Sequence, residues 1–227
     1  DLLLANKGAS IADTSMEIVL EEFAQENSVL EELVLRGGLP YTFAERLFAT
    51  VSDTLKKQLS RKYRMGKQMA EEVTSGARET AVLQFISPWM SQSDMNQLVD
   101  EMHRNGRLTD SVVIRSLCIG DLRFFETSIA KRVGIPVSNA RILLIDPGQL
   151  GFKALYESAG LSPSFYDAVR VMLRFALEET QYGNYRTSDF CARMVAKIRS
   201  AEYDKTIDNM ETLLQMIGHA NDEPTRH

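Results

Sequence analysis

Histidine and cysteine are scarce in this chain, and the alternating apolar pattern of strands is missing throughout. Three histidines and two cysteines leave little from which to build a metal centre, because a zinc site gathers about four N, S or O ligands. His219 and His227 stand near the end of the chain, so His103 is alone in its body, with neither cysteine close in sequence. No Gly-x-Ser-x-Gly elbow occurs, and His103 is the only base on offer to Cys118 or Cys191, so nucleophilic catalysis is not expected. We therefore expect no metal, no cofactor, no catalytic residue and no enzymatic activity. The cysteines are far apart and each has apolar neighbours, which predicts buried free thiols in a reducing compartment rather than a disulfide framework. Apolar runs such as Ile142-Leu143-Leu144-Ile145 fall far short of the roughly 20 residues that cross a bilayer, and no membrane segment is expected. The opening Asp1-Leu2-Leu3-Leu4-Ala5 has neither an initiator Met nor a basic leader. The expectation is a piece of a longer cytoplasmic product, with what precedes residue 1 left open.

Positive charge is also in short supply: the net charge is −5, which argues against a general nucleic-acid binder. The distribution is lopsided. Asp13, Glu17, Glu21, Glu22, Glu26, Glu31 and Glu32 make an acidic N-terminal stretch, whereas Lys56, Lys57, Arg61, Lys62, Arg64 and Lys67 follow with no acid among them. Solvated helix faces account for most such patterns; a docking face for an acidic partner or a phosphate-bearing ligand is the sharper alternative.

What is present is helical periodicity. Thr14 and Glu17 have the spacing of a capping box, which opens a helix to about Gln25. Ser28 starts a second, with Leu30, Leu33 and Val34 on one face. Pro40 then opens a long helix whose Phe43, Leu47, Val51, Thr54, Leu55 and Leu59 form the strongest stripe in the chain. Met69, Val73, Ala77, Ala81 and Phe85 continue until Ser87-Pro88. A joint is expected from Ser87 to Ser93, around Trp89. Shorter helices follow at Asp94 to Arg104, Thr109 to Ile119, Asp121 to Val133, Pro136 to Ile145, Gln149 to Ala159 and Ser162 to Thr180. A turn at Tyr182-Gly183-Asn184-Tyr185 precedes a long helix through Phe190, Met194, Ile198, Ile207, Met210, Leu213, Leu214 and Ile217, and Asn221 to His227 reads as a frayed tail.

One turn recurs. Gly38-Leu39-Pro40, Gly106-Arg107-Leu108-Thr109, Gly134-Ile135-Pro136 and Gly160-Leu161-Ser162-Pro163 each pair a glycine that closes one helix with a residue suited to start the next. The last three glycines are spaced by 28 and 26 residues, the length of two short helices with their turns. These spacings predict an all-α fold of stacked helical hairpins, a HEAT- or armadillo-like α-solenoid. Its expected parts are N-terminal hairpins over 12–88, short repeats over 89–182, a long C-terminal helix over 183–218 packed on the repeats, and a tail over 219–227.

The stretches Leu35-Arg36-Gly37-Gly38-Leu39-Pro40, Ala44-Glu45-Arg46-Leu47, Gly120-Asp121-Leu122-Arg123-Phe124-Phe125-Glu126 and Ala154-Leu155-Tyr156-Glu157-Ser158-Ala159-Gly160-Leu161 resemble an alphaproteobacterial domain-of-unknown-function family, number two-three-three-six. The resemblance covers roughly residues 25 to 200, and the block from Gly120 to Glu126 is its most specific part. It implies a bacterial, cytoplasmic, all-helical protein with no assigned reaction, so it carries over no catalytic residue. The basic turn from Arg61 to Lys67 departs from the family pattern, and any role for it is particular to this member.

Three groups remain as candidates. Asp146 to Lys153 has a glycine-rich turn before a helix and a nearby lysine, but it lacks the strand and the Gly-Lys-Ser/Thr end of a phosphate loop. Asp121 and Glu126 flank Phe124-Phe125; Asp121 suits an N-cap, and Glu126 a partner arginine, Arg115 or Arg141. The alternative is a polar pocket between repeats, where those acids and arginines read a small ligand. Lys57, Arg61 and Arg64 share a face at spacings of four and seven if their helix runs on through the turn. The expected function is a non-enzymatic module binding a protein partner of unknown identity, as scaffold or regulatory adaptor, with a homodimer as one version. A sensor of a small anionic ligand such as a nucleotide, using the Arg/Lys cluster or the polar pocket, is the alternative.

Overall fold

A computed structural model of the protein describes residues 13–22, 39–146, 150–181 and 189–200, and no strand occurs among them. The expected helix from Ser28, the turns at Gly38 and Tyr182, the reach of the last helix beyond Ser200 and the tail lie outside the described residues. The chain divides into two compact units, residues 1–90 and 91–227.

In the first unit, α1 (Asp13–Glu22) packs on α2 (Tyr41–Lys62), and α2 pairs antiparallel with α3 (Lys67–Phe85). Pro40 stands at the N-cap of α2, where its missing N–H costs nothing. Phe43 and Leu47 are buried, and Phe85 returns to meet the rings of Tyr41 and Phe48 edge-on at 5.4 and 5.9 Å. Further along the pair, Ser52 Oγ donates to the Thr74 carbonyl at 3.0 Å. The stripe expected on α2 therefore divides, with Val51 and Leu55 left in solvent beyond its buried half.

The second unit is built of short helices: α4 (Gln92–Arg104), α5 (Asp110–Cys118), α6 (Leu122–Val133), α7 (Val137–Ile145), α8 (Leu150–Ser158), a single 3-10 turn at Pro163–Phe165, α9 (Tyr166–Gln181) and α10 (Phe190–Ser200). Local chemistry places their ends. Ser91, Thr109 and Asp121 each cap a helix by accepting from the backbone N–H three residues on, all at 3.1 Å. Gly134 ends α6 at φ 77°, a conformation that side chains with a Cβ disfavour, and the amides of Gly134 and Ile135 both reach back to the Ala130 carbonyl. Gly106, Gly120 and Gly160 share the positive φ.

Helix α6 packs against α4, α5, α7 and α8, and α5 packs against α6, α9 and α10. Every residue from Val112 to Cys118 is buried, so α5 has no solvent face and forms the middle of this unit together with Phe124 and Phe125 of α6. The contacts of α5 with α9 and α10 join helices far apart in sequence, which a stack restricted to neighbouring repeats would not do. Across the outside, Gln92 donates to Thr127 Oγ1 at 3.1 Å and Lys131 meets Asp100 at 2.8 Å, tying α6 to α4.

Candidate functional site

Two of the residues singled out in the second unit meet. Arg141, in the middle of α7, places Nε 2.9 Å and Nη2 2.7 Å from Glu126 Oε2 on α6. The adjacency expected of consecutive helices is realised here. Glu126 is buried, whereas half of the Arg141 side chain stays in solvent. Hydrogen bonding to Glu126, then its charge, raises the Arg141 pKa further above its already high ordinary value, so the guanidinium stays charged. Asp121 acts as the N-cap of α6 and is buried. Arg115 is buried on α5, where its Nε donates to Ser111 Oγ at 3.0 Å.

The basic cluster of the first unit needs a correction. Helix α2 ends at Lys62, and Arg64 stands beyond it with φ 51°. The physical reason is a left-handed cap: the Tyr63 and Met65 amides both turn back to the Leu59 carbonyl, at 3.2 and 3.4 Å. Lys57 and Arg61 keep their four-residue spacing on α2, both exposed, but Arg64 does not continue their face.

Neither Cys118 nor Cys191 takes part in a disulfide, and both are buried. Burial, and then the proximity of Cys191, push the Cys118 thiol well above its ordinary range, the opposite of what an activated nucleophile requires. His103 is exposed in the last turn of α4. Among the described residues no group of three or more His, Cys, Asp or Glu is arranged to hold a metal ion. Lys153 faces Glu157 on its own helix at 3.9 Å, and Asp146 Oδ2 lies 3.4 Å from the Gly151 amide, at the approach an anion would use. Residues 147–149 of that turn lie outside the described ones.

Two features were not singled out from the sequence. The first is a polar knot around Arg132, whose Nη1 reaches Asp110 Oδ1 at 2.8 Å and the Ala159 carbonyl at 3.3 Å, while Nη2 reaches the Leu108 carbonyl at 2.6 Å. Asp110 Oδ2 also accepts from the Ser162 amide at 3.0 Å, and Tyr156 donates to the Ser162 carbonyl at 2.7 Å. Burial, then the Asp110 charge, raise the Tyr156 pKa and keep the phenol protonated as a donor. The glycine turns at 106 and 160 are thereby fastened to the end of α6. The second feature is a set of exposed apolar side chains, Ile142, Leu143 and Ile145 on α7 and Leu150 at the start of α8. Its sequence signal was the run Ile142 to Ile145, too dense for a helix with one buried face.

A family model described as "uncharacterised protein conserved in bacteria (DUF2336)" matches residues 1–208. The chain belongs to that family. The DUF2336 match covers the first compact unit and the second as far as residue 208, so Glu126, Arg141, the Arg132 knot and the basic end of α2 all fall inside it. No curated protein and no solved structure matches the chain. No helix among the described residues is long and apolar enough to cross a membrane.

Proposed function

We propose that this DUF2336 chain is a non-enzymatic, cytoplasmic helical-repeat module that holds a protein partner, as a scaffold or a regulatory adaptor. The observation that carries the reading is the apolar surface of α7 and α8. Ile142 is 69% exposed and Leu150 79%, with Ile145 and Leu143 beside them, whereas α7 buries only Ala140 and Leu144. A single exposed leucine needs no explanation, but four large apolar side chains at one helix junction have the make-up of an interaction site. Arg141 and Ile145 are four apart on α7 with Ile142 adjacent, and Glu126 holds the arginine in place. Arginine is among the residues enriched at protein interfaces, and here one is held beside aliphatic side chains that a partner would take out of water.

The repeat part of the reading draws support from the Arg132 knot, which brings the turns at Gly106 and Gly160 to the end of α6. Short hairpins of a HEAT or armadillo kind would align their turns in this way. A nucleotide sensor draws less support, since Arg64 has left the face of Lys57 and Arg61, and Glu126 is engaged by Arg141.

The test compares the full chain with an Ile142→Asp, Ile145→Asp variant as bait in its native cytoplasm, followed by titration of whatever is captured with purified chain. A saturable protein partner lost in the variant, with helix content unchanged by circular dichroism, supports the reading. A partner retained equally by the variant rejects this surface, and a small molecule co-purifying in place of a protein rejects the module.

A further inference from the structure

We propose that the α2–α3 hairpin of the first unit is a separate docking surface that receives an acidic amphipathic helix of another protein. The first half of α2 buries Phe43, Ala44, Glu45, Leu47 and Ala49, but no residue after Ser52 is buried on this helix. Its apolar stripe nevertheless continues, and α3 supplies a matching one. Val51, Leu55, Met69 and Val73 keep between 43 and 59% of their surface exposed.

These four side chains share one flank of the hairpin. The Ser52–Thr74 hydrogen bond fixes which sides of α2 and α3 face each other, and the Lys56–Glu71 ion pair lies on one flank of that seam. At about 100° per residue, Val51 and Leu55 on α2 and Met69 and Val73 on α3 fall together on the other flank. The result is two short apolar rows on neighbouring antiparallel helices. A third helix lies naturally in the groove between such rows, presenting apolar residues three and four apart.

Charge decides what kind of helix. Lys56, Lys57, Arg61, Lys62, Arg64 and Lys67 occupy the tip of the hairpin, and residues 54–70 contain no acid. Lys62 follows Leu55 by seven positions and so closes the apolar row with a cation. An occupant with acids beside its apolar stripe is attracted and oriented by that end. The chain supplies its own precedent: α1 carries Glu17, Glu21 and Glu22, buries Met16 and packs on α2.

The test uses the full chain and a fluorescein-labelled helical peptide of about 18 residues with Leu at positions three and four apart and Glu elsewhere. Fluorescence anisotropy should show saturable binding that weakens about fivefold or more in Leu55→Asp, and likewise in Lys62→Glu, a change at an exposed position, with helix content by circular dichroism unchanged in both. Binding should also weaken as salt rises from about 50 to 300 mM. A scrambled peptide of the same composition that binds equally well, no binding of the ordered one, or indifference to both variants overturns the proposal. Preference for phosphatidylglycerol vesicles over the peptide overturns it in favour of a lipid surface. Sedimentation showing a dimer that Leu55→Asp dissolves overturns it in favour of a second copy. Ile142→Asp should leave peptide binding unchanged, so failure here and failure of the α7 surface are separately visible.

Discussion

Arg132 and Asp110 are 22 positions apart in sequence, and their charged groups stand 2.8 Å apart. The same guanidinium also bonds the Leu108 and Ala159 carbonyls, and the same carboxylate accepts from the Ser162 amide. Two loop regions thus depend on one side chain that is only 12% exposed. Arg132→Met should destabilise the protein by about 2–4 kcal/mol, because it strands a carboxylate and two carbonyls together. Arg132→Lys should recover only part of this, since an ammonium cannot reproduce the planar fork. Lys131→Met, which removes a more exposed bridge to Asp100, should cost less than about 1 kcal/mol. Urea unfolding of the three variants checks the order, and equal costs for Arg132→Met and Lys131→Met would show that the knot adds nothing.

The Glu126–Arg141 pair should behave differently, because only its acid is buried. Arg141→Met leaves that carboxylate without the two hydrogen bonds from the guanidinium and should cost about 2 kcal/mol. Adding Glu126→Gln to the same chain removes the uncompensated charge and should restore more than half of the loss. The measurement is a double-mutant cycle by denaturant unfolding, with a coupling of about 1 kcal/mol or more expected. Strict additivity would mean the contact contributes only by occupying space.

Glycine at helix ends offers a test that needs no partner. A methyl group at Gly134 would meet nothing within 4 Å, so Gly134→Ala is penalised by its φ of 77° alone. It should lose about 1 kcal/mol, with Gly134→Asn losing less. Gly66 is equally open, but its φ is −56°. There alanine fits the existing backbone and restricts the unfolded chain, but Gly66 is the N-cap of α3, where alanine is poorer than glycine, so the two effects oppose and Gly66→Ala should change stability by less than about 0.5 kcal/mol. Gly134→Ala should therefore lower Tm clearly more than Gly66→Ala; equal losses would contradict the assignment of these two turns.

The boundaries of α4 to α7 were legible in sequence because Thr109 and Asp121 accept from amides three residues on, and the Gly134 amide donates to the carbonyl four residues back. The contact between Glu126 and Arg141 was legible for a related reason, that consecutive helices across a tight turn are neighbours. Distance in sequence hid the Arg132 knot, since nothing local links Leu108, Arg132 and Ala159. Burial was misread in both directions. The stripe through Val51 and Leu55 announces an apolar face but not whether anything covers it, while Arg115 and Ser116 gave no sign that α5 is enclosed on all sides. The face shared by Lys57, Arg61 and Arg64 failed because the left-handed cap fell on Arg64, with the nearest glycine two residues further on.

The enclosed α5 leads to a prediction about alkaline pH. Burial, followed by the charge of nearby Cys191, raises the Cys118 pKa well above its ordinary 9.0, and Tyr156 is shifted in the same direction from 10.0. For each group the unfolded chain gives up its proton first, so between the ordinary and the folded values the native state holds more protons. Stability must then fall as pH rises through that interval, by up to about 1.4 kcal/mol per pH unit for each group. Stability contributed by the protonated thiol is fully present below pH 9 and declines above it. Thermal unfolding between about pH 8 and 11 should therefore show a falling Tm, with a shallower fall in Cys118→Ala, where one of the titrating groups is gone. The same burial predicts that iodoacetamide labels Cys118 only after denaturant is added. Rapid labelling of the native chain, or an unchanged slope in Cys118→Ala, would place that thiol outside the enclosed middle of the unit.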